Sequence, residues 1–173
     1  LPEDIILHTI YERGIEVLES NGYSQYEVSA FAQKSKNSSH NCNYWNFGDY
    51  IGIGAGAHGK LTMPIDNKLV RSKKLKQPNN YMNKVQSEVT QLNEILIEER
   101  TVEFLMNALR LRRGFSRHLF EKRTGIEFGE ISKKLTTLIE NELIQITNIN
   151  GESFYSATRT GYRFLDTLLG EFL

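Results

Sequence analysis

The segment HNCNYWNFGDYIGIGAGAHG, residues 40–59, is the most informative part of the sequence for predicting the fold. It contains two of the four histidines, the only cysteine, the only tryptophan and five of the thirteen glycines in 173 residues. Its hydrophobic residues follow neither helical nor strand periodicity, so packing alone does not explain this concentration. We expect a polar loop over residues 33–43, then a short strand over residues 49–54 that turns into a glycine-rich bend.

These residue types suit a flat hydrophobic ligand that carries a metal. His40 offers an imidazole, the usual protein ligand of haem iron. In an extended segment His40 and Cys42 point to the same side, so we take His40 as the candidate ligand and Cys42 as a small apolar residue. Aromatic side chains can form a wall, and glycines let the backbone approach a ligand or a neighbouring strand. The candidates for these two roles are Tyr44, Trp45 and Phe47, and Gly52, Gly54 and Gly56.

Simpler interpretations of the same residues stay open. His40 can be an ordinary loop residue, and His58 can serve only to shape the turn before Gly59. The Gly-x-Gly-x-Gly run lacks the strand, the helix and the spaced acid of a dinucleotide site, so a Rossmann interpretation is not favoured.

Composition excludes several classes of protein. Hydrophobic residues make up 39% and charged residues 24%, which is typical of a globular protein. No apolar run approaches the roughly 18 residues of a membrane span, and the first residues do not resemble a signal peptide, so we expect a cytoplasmic protein. One cysteine excludes an internal disulfide and an all-cysteine metal site. The formal net charge of zero argues against a dedicated DNA-binding protein.

The amino-terminal third predicts a helix that leads into a strand. Apolar residues recur at helical spacing, and Asn21-Gly22 marks the end of the helix. A strand is predicted over residues 26–31. Helix, tight turn and buried strand form the repeating unit of α/β folds, which favours a chain that starts partway through such a fold. The alternative is a complete α+β domain that opens with a helix. The apolar stripe consists of Leu7, Tyr11, Ile15 and Leu18.

The rest of the chain predicts two hairpins and several helices. One hairpin joins residues 61–65 to 68–72 across Asp66-Asn67, and Pro64 confines its first arm to a sheet edge. Another joins residues 143–147 to 153–156 across Asn150-Gly151, a strong hairpin signal. Helices are predicted over residues 78–86, 94–112, 116–123 and 128–141, and from Thr158 onward. The order helix, helix, hairpin, helix predicts a winged-helix-like module.

Three segments in this order resemble one family. They are YEVSAFA (26–32), HNCNYW (40–45) and GDYIGIGAGAHG (48–59), and they look like the oxygen-independent coproporphyrinogen III oxidase-like radical SAM proteins. The pattern His-Asn-x-x-Tyr-Trp is matched in full and is fairly specific for the haem-chaperone (HemW-like) branch. The glycine-rich stretch is shared more widely and supports the family only. The resemblance covers essentially the whole chain.

The resemblance implies an α+β chain of α/β origin. Residues 1–76 would form the last helix and strand units of a partial radical SAM (β/α) barrel, with the haem motif and the glycine-rich loop. Residues 77–173 would form a mainly helical, winged-helix-like HemN-type C-terminal domain. The implied haem-binding residues are His40, Asn41, Tyr44 and Trp45. Of these, His40 would be the ligand of the haem iron. Those implied near S-adenosylmethionine and substrate are Gly52, Gly54, Gly56, Ala57 and His58.

Two departures from the family pattern qualify these expectations. The family holds a [4Fe–4S] cluster with a Cys-x-x-x-Cys-x-x-Cys motif near its amino terminus, and this chain has a single cysteine. We therefore expect a carboxy-terminal fragment with no catalytic residue, inactive alone, whose full-length parent binds the cluster and S-adenosylmethionine. Gln33-Lys34-Ser35 stands where the family often has Lys-Pro-Gly, which predicts a differently shaped loop before His40.

Three functions compete. The first is a chaperone that binds haem or a related porphyrin and delivers it to haem-accepting proteins, with the basic residues 68–76 meeting propionates or a membrane surface. The second is a coproporphyrinogen III oxidase of porphyrin and haem biosynthesis; Tyr44-Trp45 favours the chaperone. The third is a winged-helix nucleic-acid-binding module. Its recognition helix, residues 128–141, is flanked and lined by glutamates, so no nucleic-acid partner is expected.

Overall fold

The computed structural model describes residues 2–84 and 88–172. All three sheets in this part of the chain are antiparallel, with strand orders β1-β2, β3-β4-β5 and β6-β8-β7. The elements are α1 (Asp4–Ser20), β1 (Ser24–Glu27), β2 (Ala30–Ala32), α2 (Ser39–Trp45), β3 (His58–Met63), β4 (Lys68–Lys74), α3 (Pro78–Asn83), β5 (Thr90–Ile95), α4 (Ile97–Ala108), β6 (Phe115–Ser116), α5 (Arg117–Thr124), α6 (Gly129–Glu140), β7 (Ile144–Ile149), β8 (Glu152–Ala157), α7 (Arg159–Arg163) and α8 (Leu165–Gly170).

The amino-terminal helix is confirmed, but the strand predicted after it is wrong. Residues 24–32 form a hairpin, β1 and β2, whose chain reverses at Val28-Ser29. The side-chain amide of Gln25 donates to the Val28 carbonyl at 2.9 Å and holds this turn. The hydrophobicity pattern of the sequence did not predict this chain reversal, because a turn can form within a short apolar run without a change in hydrophobicity. No side chain of α1 is buried.

The middle sheet confirms one prediction and corrects two. β3 and β4 pair across residues 64–67, with Met63 opposite Lys68 and β3 at the sheet edge. The strand predicted over residues 49–54 is reduced to one bridge between Tyr50 and Lys60. The helix predicted from residue 94 begins at Ile97, because residues 90–95 form β5 and pair with β4. The Glu99 carboxylate accepts from the Leu96 amide at 3.0 Å and caps α4. The helix predicted over residues 78–86 corresponds to α3, which spans Pro78–Asn83. The end predicted for this helix falls on residues 85–87, which lie outside the described residues.

The carboxy-terminal elements follow the prediction closely. The Ser116 hydroxyl caps α5, which ends at Gly125 with φ +72°. Asn150 and Gly151 have φ values of +53° and +85°, the left-handed conformations that a two-residue hairpin turn requires. β6 was not predicted, and it adds a third strand beside β8. The winged-helix nature of this module stays a prediction.

A single buried core joins both halves of the chain. It is centred on Phe104, Phe115 and Phe120, whose rings pack edge to face or tilted at centroid distances of 5.2–6.4 Å. Phe47, Leu69 and Ile95 belong to the same core and come from the amino-terminal side of α4. The predicted domain boundary after residue 76 stays a prediction. Within residues 2–84 and 88–172, no helix is long and apolar enough to cross a membrane.

Candidate functional site

The polar loop predicted over residues 33–43 is wrong in its last part, because residues 39–45 form the helix α2. The Ser38 hydroxyl accepts from the Asn41 amide at 3.3 Å and caps its amino terminus. Successive helical residues are rotated by about 100°, so His40 and Tyr44 lie on one face while Cys42 and Asn46 lie on another. The expectation that His40 and Cys42 point to the same side is therefore wrong.

The four predicted haem-binding residues have different environments. His40 is exposed, and its imidazole has no hydrogen-bond or ion-pair partner within the described part of the chain. The Asn41 side-chain amide donates to the Tyr26 hydroxyl at 3.3 Å and ties α2 to β1. Tyr44 packs edge to face on Trp45, with 5.1 Å between ring centroids. His40 is thus the motif residue that is open to an external ligand.

The aromatic residues of the motif extend into a small cluster. The ring of Tyr44 lies 4.9 Å from that of Tyr50. Burial, together with the neighbouring Tyr44 hydroxyl, raises the pKa of Tyr50 to about 12, although Arg71 opposes the shift. The Trp45 indole nitrogen is buried and has no hydrogen-bond partner among the described residues. The Arg110 guanidinium lies 5.3 Å from the Trp45 ring centroid. The Tyr50 hydroxyl is therefore protonated at physiological pH.

The glycine-rich loop packs against β3 and β4. A Cβ on Gly52 would lie 2.1 Å from the His58 carbonyl oxygen, so only glycine allows this backbone contact. The Gly56 amide donates to the Leu75 carbonyl, and the Lys74 amide donates to the Ala57 carbonyl, both at 2.8 Å. The close backbone approach at Gly52 is therefore made to the neighbouring strand β3. His58 is the exposed first residue of β3, whereas Ile51 and Ile53, between the glycines, are 76% and 88% exposed.

An ion pair that sequence reasoning missed attaches the segment after α2 to β3. Lys60 is 1% exposed, and its ammonium group lies 3.0 Å from the Asp49 carboxylate. That carboxylate also accepts from the Thr62 amide at 3.0 Å and from the Thr62 hydroxyl at 2.8 Å. Desolvation raises the pKa of Asp49, but the hydrogen bonds from Thr62 and Lys60 outweigh it and lower the pKa overall. Desolvation lowers the pKa of Lys60 despite Asp49.

A cavity of about 630 Å³ lies between α2 and the chain around α5. None of the four predicted haem-binding residues lines it. From α2 it is lined by Cys42, Asn43 and Asn46, and from the opposite side by Arg112, Arg113 and Arg123, with His118, Leu119 and Phe154. Burial, with a smaller effect from Glu27, raises the pKa of the Cys42 thiol. The thiol is therefore protonated at neutral pH, which suits a wall residue and not a metal ligand.

The three arginines of this cavity were not predicted. The run Arg110-Leu111-Arg112-Arg113 before Gly114 was the available signal for two of them, Arg112 and Arg113. Within the described residues, no group of three or more His, Cys, Asp or Glu side chains could hold a metal ion.

The basic residues 68–76 are partly neutralised by their neighbours. Lys68 lies 3.1 Å from Glu94, and Arg71 pairs with Glu103. The Lys74 ammonium group donates to the Thr90 hydroxyl at 2.6 Å. This pairing weakens the predicted basic surface and does not support contact with propionates or a membrane through these residues.

Comparison with known proteins identifies the class. A family model described as the HemN C-terminal domain matches residues 97–164, from the start of α4 to the end of α7. "Heme chaperone HemW" of Escherichia coli (strain K12) is 36% identical over 173 residues, which is 100% of this chain and 44% of that protein. The protein of the same name from Haemophilus influenzae is 36% identical over 180 residues, covering 100% of this chain and 43% of that protein.

A mitochondrial relative matches a shorter part. "Radical S-adenosyl methionine domain-containing protein 1, mitochondrial" of Danio rerio is 37% identical over 89 residues, which is 50% of this chain and 20% of that protein. No solved structure matches the chain. These matches together define a radical-SAM-type protein with a HemN C-terminal domain. The chain belongs to the HemW-like family, corresponds to a carboxy-terminal part of its members, and spans less than half the length of the curated relatives that match it in full.

Proposed function

We propose that this chain is the part of a haem chaperone that contacts haem through α2, for delivery to haem-accepting proteins. The observation that carries the proposal is the exposed imidazole of His40, which has no intramolecular partner among the described residues, beside a packed aromatic cluster. A neutral imidazole is the usual protein ligand of haem iron. The relatives that match the whole chain are named heme chaperones.

The other motif residues have supporting roles in this proposal. Tyr44 shares the face of His40 and offers an aromatic surface to the edge of a porphyrin. Asn41 positions α2 through its hydrogen bond to Tyr26, and Trp45 supports Tyr44 from the side. Because α2 is capped by Ser38, the imidazole is held on a short, ordered element. Such preorganisation lowers the entropic cost of binding.

The remaining cofactors belong to the full-length protein in this proposal. One cysteine cannot supply the three thiolates of the cluster motif, so the residues of this chain do not hold a [4Fe–4S] cluster. When bound, such a cluster supplies the electron for the reductive cleavage of S-adenosylmethionine. We place the loop of Gly52, Gly54, Gly56, Ala57 and His58 near that cofactor, and its exposed Ile51 and Ile53 offer apolar surface for such a contact. The barrel origin of residues 1–76 and the winged-helix nature of residues 77–173 are part of the same proposal.

A haem titration tests the role of His40. We expect the purified protein to give a Soret band typical of histidine-ligated haem, and His40→Ala to shift this band and weaken affinity by about tenfold or more. His8→Ala is the matched control, because His8 is also exposed and lies in α1. An unchanged spectrum and affinity in His40→Ala contradicts the assignment.

The alternative function is oxygen-independent coproporphyrinogen III oxidation. The family and the glycine-rich loop are compatible with this function as well. The relatives that match the whole chain, however, carry the name of a heme chaperone. Formation of protoporphyrinogen from coproporphyrinogen III by the full-length protein, with S-adenosylmethionine and a reductant, decides between the two. Sustained turnover favours the oxidase.

A further inference from the structure

We propose that the cavity between α2 and α5, here called the arginine cavity, binds the carboxylate groups of a propionate-bearing tetrapyrrole. It is lined by Arg112, Arg113 and Arg123, and by one acidic residue, Glu152. Counting formal charges, three cations face one anion, which leaves an excess of two positive charges. A ligand with two carboxylates neutralises this excess. The choice of a tetrapyrrole rests on the proposed function.

Two of the guanidinium groups are oriented before any ligand binds. Arg112 donates through two of its nitrogens to the Gln25 side-chain oxygen and lies 3.9 Å from the Tyr162 ring centroid. Arg113 lies 4.1 Å from the Phe154 ring centroid and has no ion pair within the described part of the chain. Stacked guanidinium groups keep free N–H groups at their edges, which suit bidentate binding of a carboxylate.

Arg123 adds an independent observation. Its Nε atom is buried and has no hydrogen-bond partner among residues 2–84 and 88–172. A buried donor without an acceptor is destabilising, so such atoms often mark a site for an external acceptor. A carboxylate in the cavity can satisfy it.

The start of α5 contributes to the same wall. Ser116, His118 and Leu119 line the cavity, and the Ser116 hydroxyl accepts from the Leu119 amide at 3.3 Å. The first amides of a helix lack intrahelical acceptors, and the helix dipole is positive at this end. Together with the three guanidinium groups, α5 makes the cavity favourable for negative charge.

The shape and the apolar walls favour a large ligand over a simple anion. Pockets of about 300–1,000 Å³ hold molecules of drug or cofactor size. The cavity has about this volume, and Leu111, Leu119 and Phe154 provide apolar contact beside the charged groups. A flat apolar macrocycle with carboxylates at one edge matches both features.

The cavity and His40 can be tested separately. Cys42, Asn43 and Asn46 line the cavity, whereas His40 does not. A porphyrin without iron needs no axial ligand, so its affinity reports on the cavity and not on His40.

The test compares metal-free mesoporphyrin IX with its dimethyl ester, using quenching of Trp45, the only tryptophan. We expect the protein to bind the free acid about tenfold or more tightly than the ester, because a carboxylate forms stronger, charge-assisted hydrogen bonds with guanidinium groups than an uncharged ester does. The double variant Arg113→Gln/Arg123→Gln should bind acid and ester alike. His40→Ala should retain the preference for the acid, even if haem ligation by His40 proves wrong.

Arg117→Gln is the matched control, since Arg117 is an exposed arginine of α5 that does not line the cavity. Circular dichroism and thermal melts check that the variants fold. Equal affinity for acid and ester in the unmodified protein, or no binding of either, overturns the proposal. Displacement of the porphyrin by millimolar succinate or phosphate with no difference between acid and ester assigns the cavity to small anions and overturns it as well. The proposal is also overturned if the double variant still binds the free acid more tightly than the ester, to the same extent as the unmodified protein.

Discussion

Lys60 illustrates how single side chains hold the candidate site in place. Its side chain is fully buried and lies 4.2 Å from the Phe47 ring centroid, but its ammonium group keeps the Asp49 carboxylate as a partner. A buried cation is tolerated only when such a partner remains. Asp49 follows the motif helix by four residues, so this pair attaches the end of the binding segment to β3.

Asp49→Asn should lower the free energy of unfolding by about 2–3 kcal/mol at pH 7, because it leaves the buried charge of Lys60 without an anion. The estimate lies below the roughly 3–5 kcal/mol expected for breaking a fully buried ion pair, because the Asp49 side chain is 39% exposed. Urea unfolding measures the effect. Asp66→Asn, at an exposed turn, is the control and should change stability by less than about 0.5 kcal/mol.

The same pair has a defined pH dependence. The folded-state pKa of Asp49 is lowered, so its contribution is fully present above the unfolded pKa of about 4 and is lost as pH falls through the lowered folded value. Asp49→Asn should therefore show a smaller loss of stability below about pH 4 than the unmodified protein. Parallel acid unfolding curves for the two proteins contradict this assignment.

At the scale of elements, Phe47 connects the motif helix to the carboxy-terminal module. It follows α2 with φ +55°, and this left-handed turn directs its ring into the core. There it packs edge to face on Phe104 of α4, with 6.0 Å between centroids. The position of α2 relative to α4 and α5, and hence one wall of the arginine cavity, depends on this contact.

Phe47→Ala should cost about 3–5 kcal/mol, the usual range for removing a buried phenylalanine. We expect the loss as a lower urea midpoint, together with a shifted fluorescence maximum of Trp45, because α2 loses its anchor. Ile65→Ala removes an aliphatic side chain that is 99% exposed and serves as the control. A midpoint equal to that of this control shows that α2 is held by other contacts.

At the scale of the whole molecule, stability is unevenly distributed. The core consists mainly of residues from α4 to α8, whereas α1 buries no side chain. The contacts of α1 with α7 are polar: Glu12 pairs with Arg159, and His8 contacts Arg163. Exposed polar contacts of this kind contribute little. Several of the apolar residues of α1 remain open to solvent, namely Ile5, Ile6, Leu7, Ile10, Tyr11 and Val17.

Hydrogen exchange should therefore separate α1 from the core. We expect amides of α1 to exchange by local opening, at least about 100-fold faster than those of α4, because local opening exposes little apolar surface. Mass spectrometry of labelled peptides measures both helices in one sample, with α4 as the internal reference. Equal protection of the two helices means that α1 and the core unfold as one unit.

The sequence by itself determined the local structure and the family. Apolar spacing predicted α1, and the pairs Asp66-Asn67 and Asn150-Gly151 predicted both long hairpins, because these signals depend only on neighbouring residues. The helices predicted over residues 116–123 and 128–141 correspond to α5 and α6. It failed at the reversal between β1 and β2, at α2 and at β5. In those places a side-chain hydrogen bond, a serine cap or pairing with β4 decides the local conformation. The motif at residues 40–45 indicated the HemW-like family through residue identity and spacing alone.

Only the tertiary structure decided which side chains meet. It placed His40 and Cys42 on different faces of α2, and it brought Cys42 within one cavity with Arg112 and Arg123, about 70 and 80 residues later in the chain. It also paired Lys60 with Asp49. Such contacts depend on how distant segments pack around the shared phenylalanine core, and local periodicity carries no information about the partner across that distance.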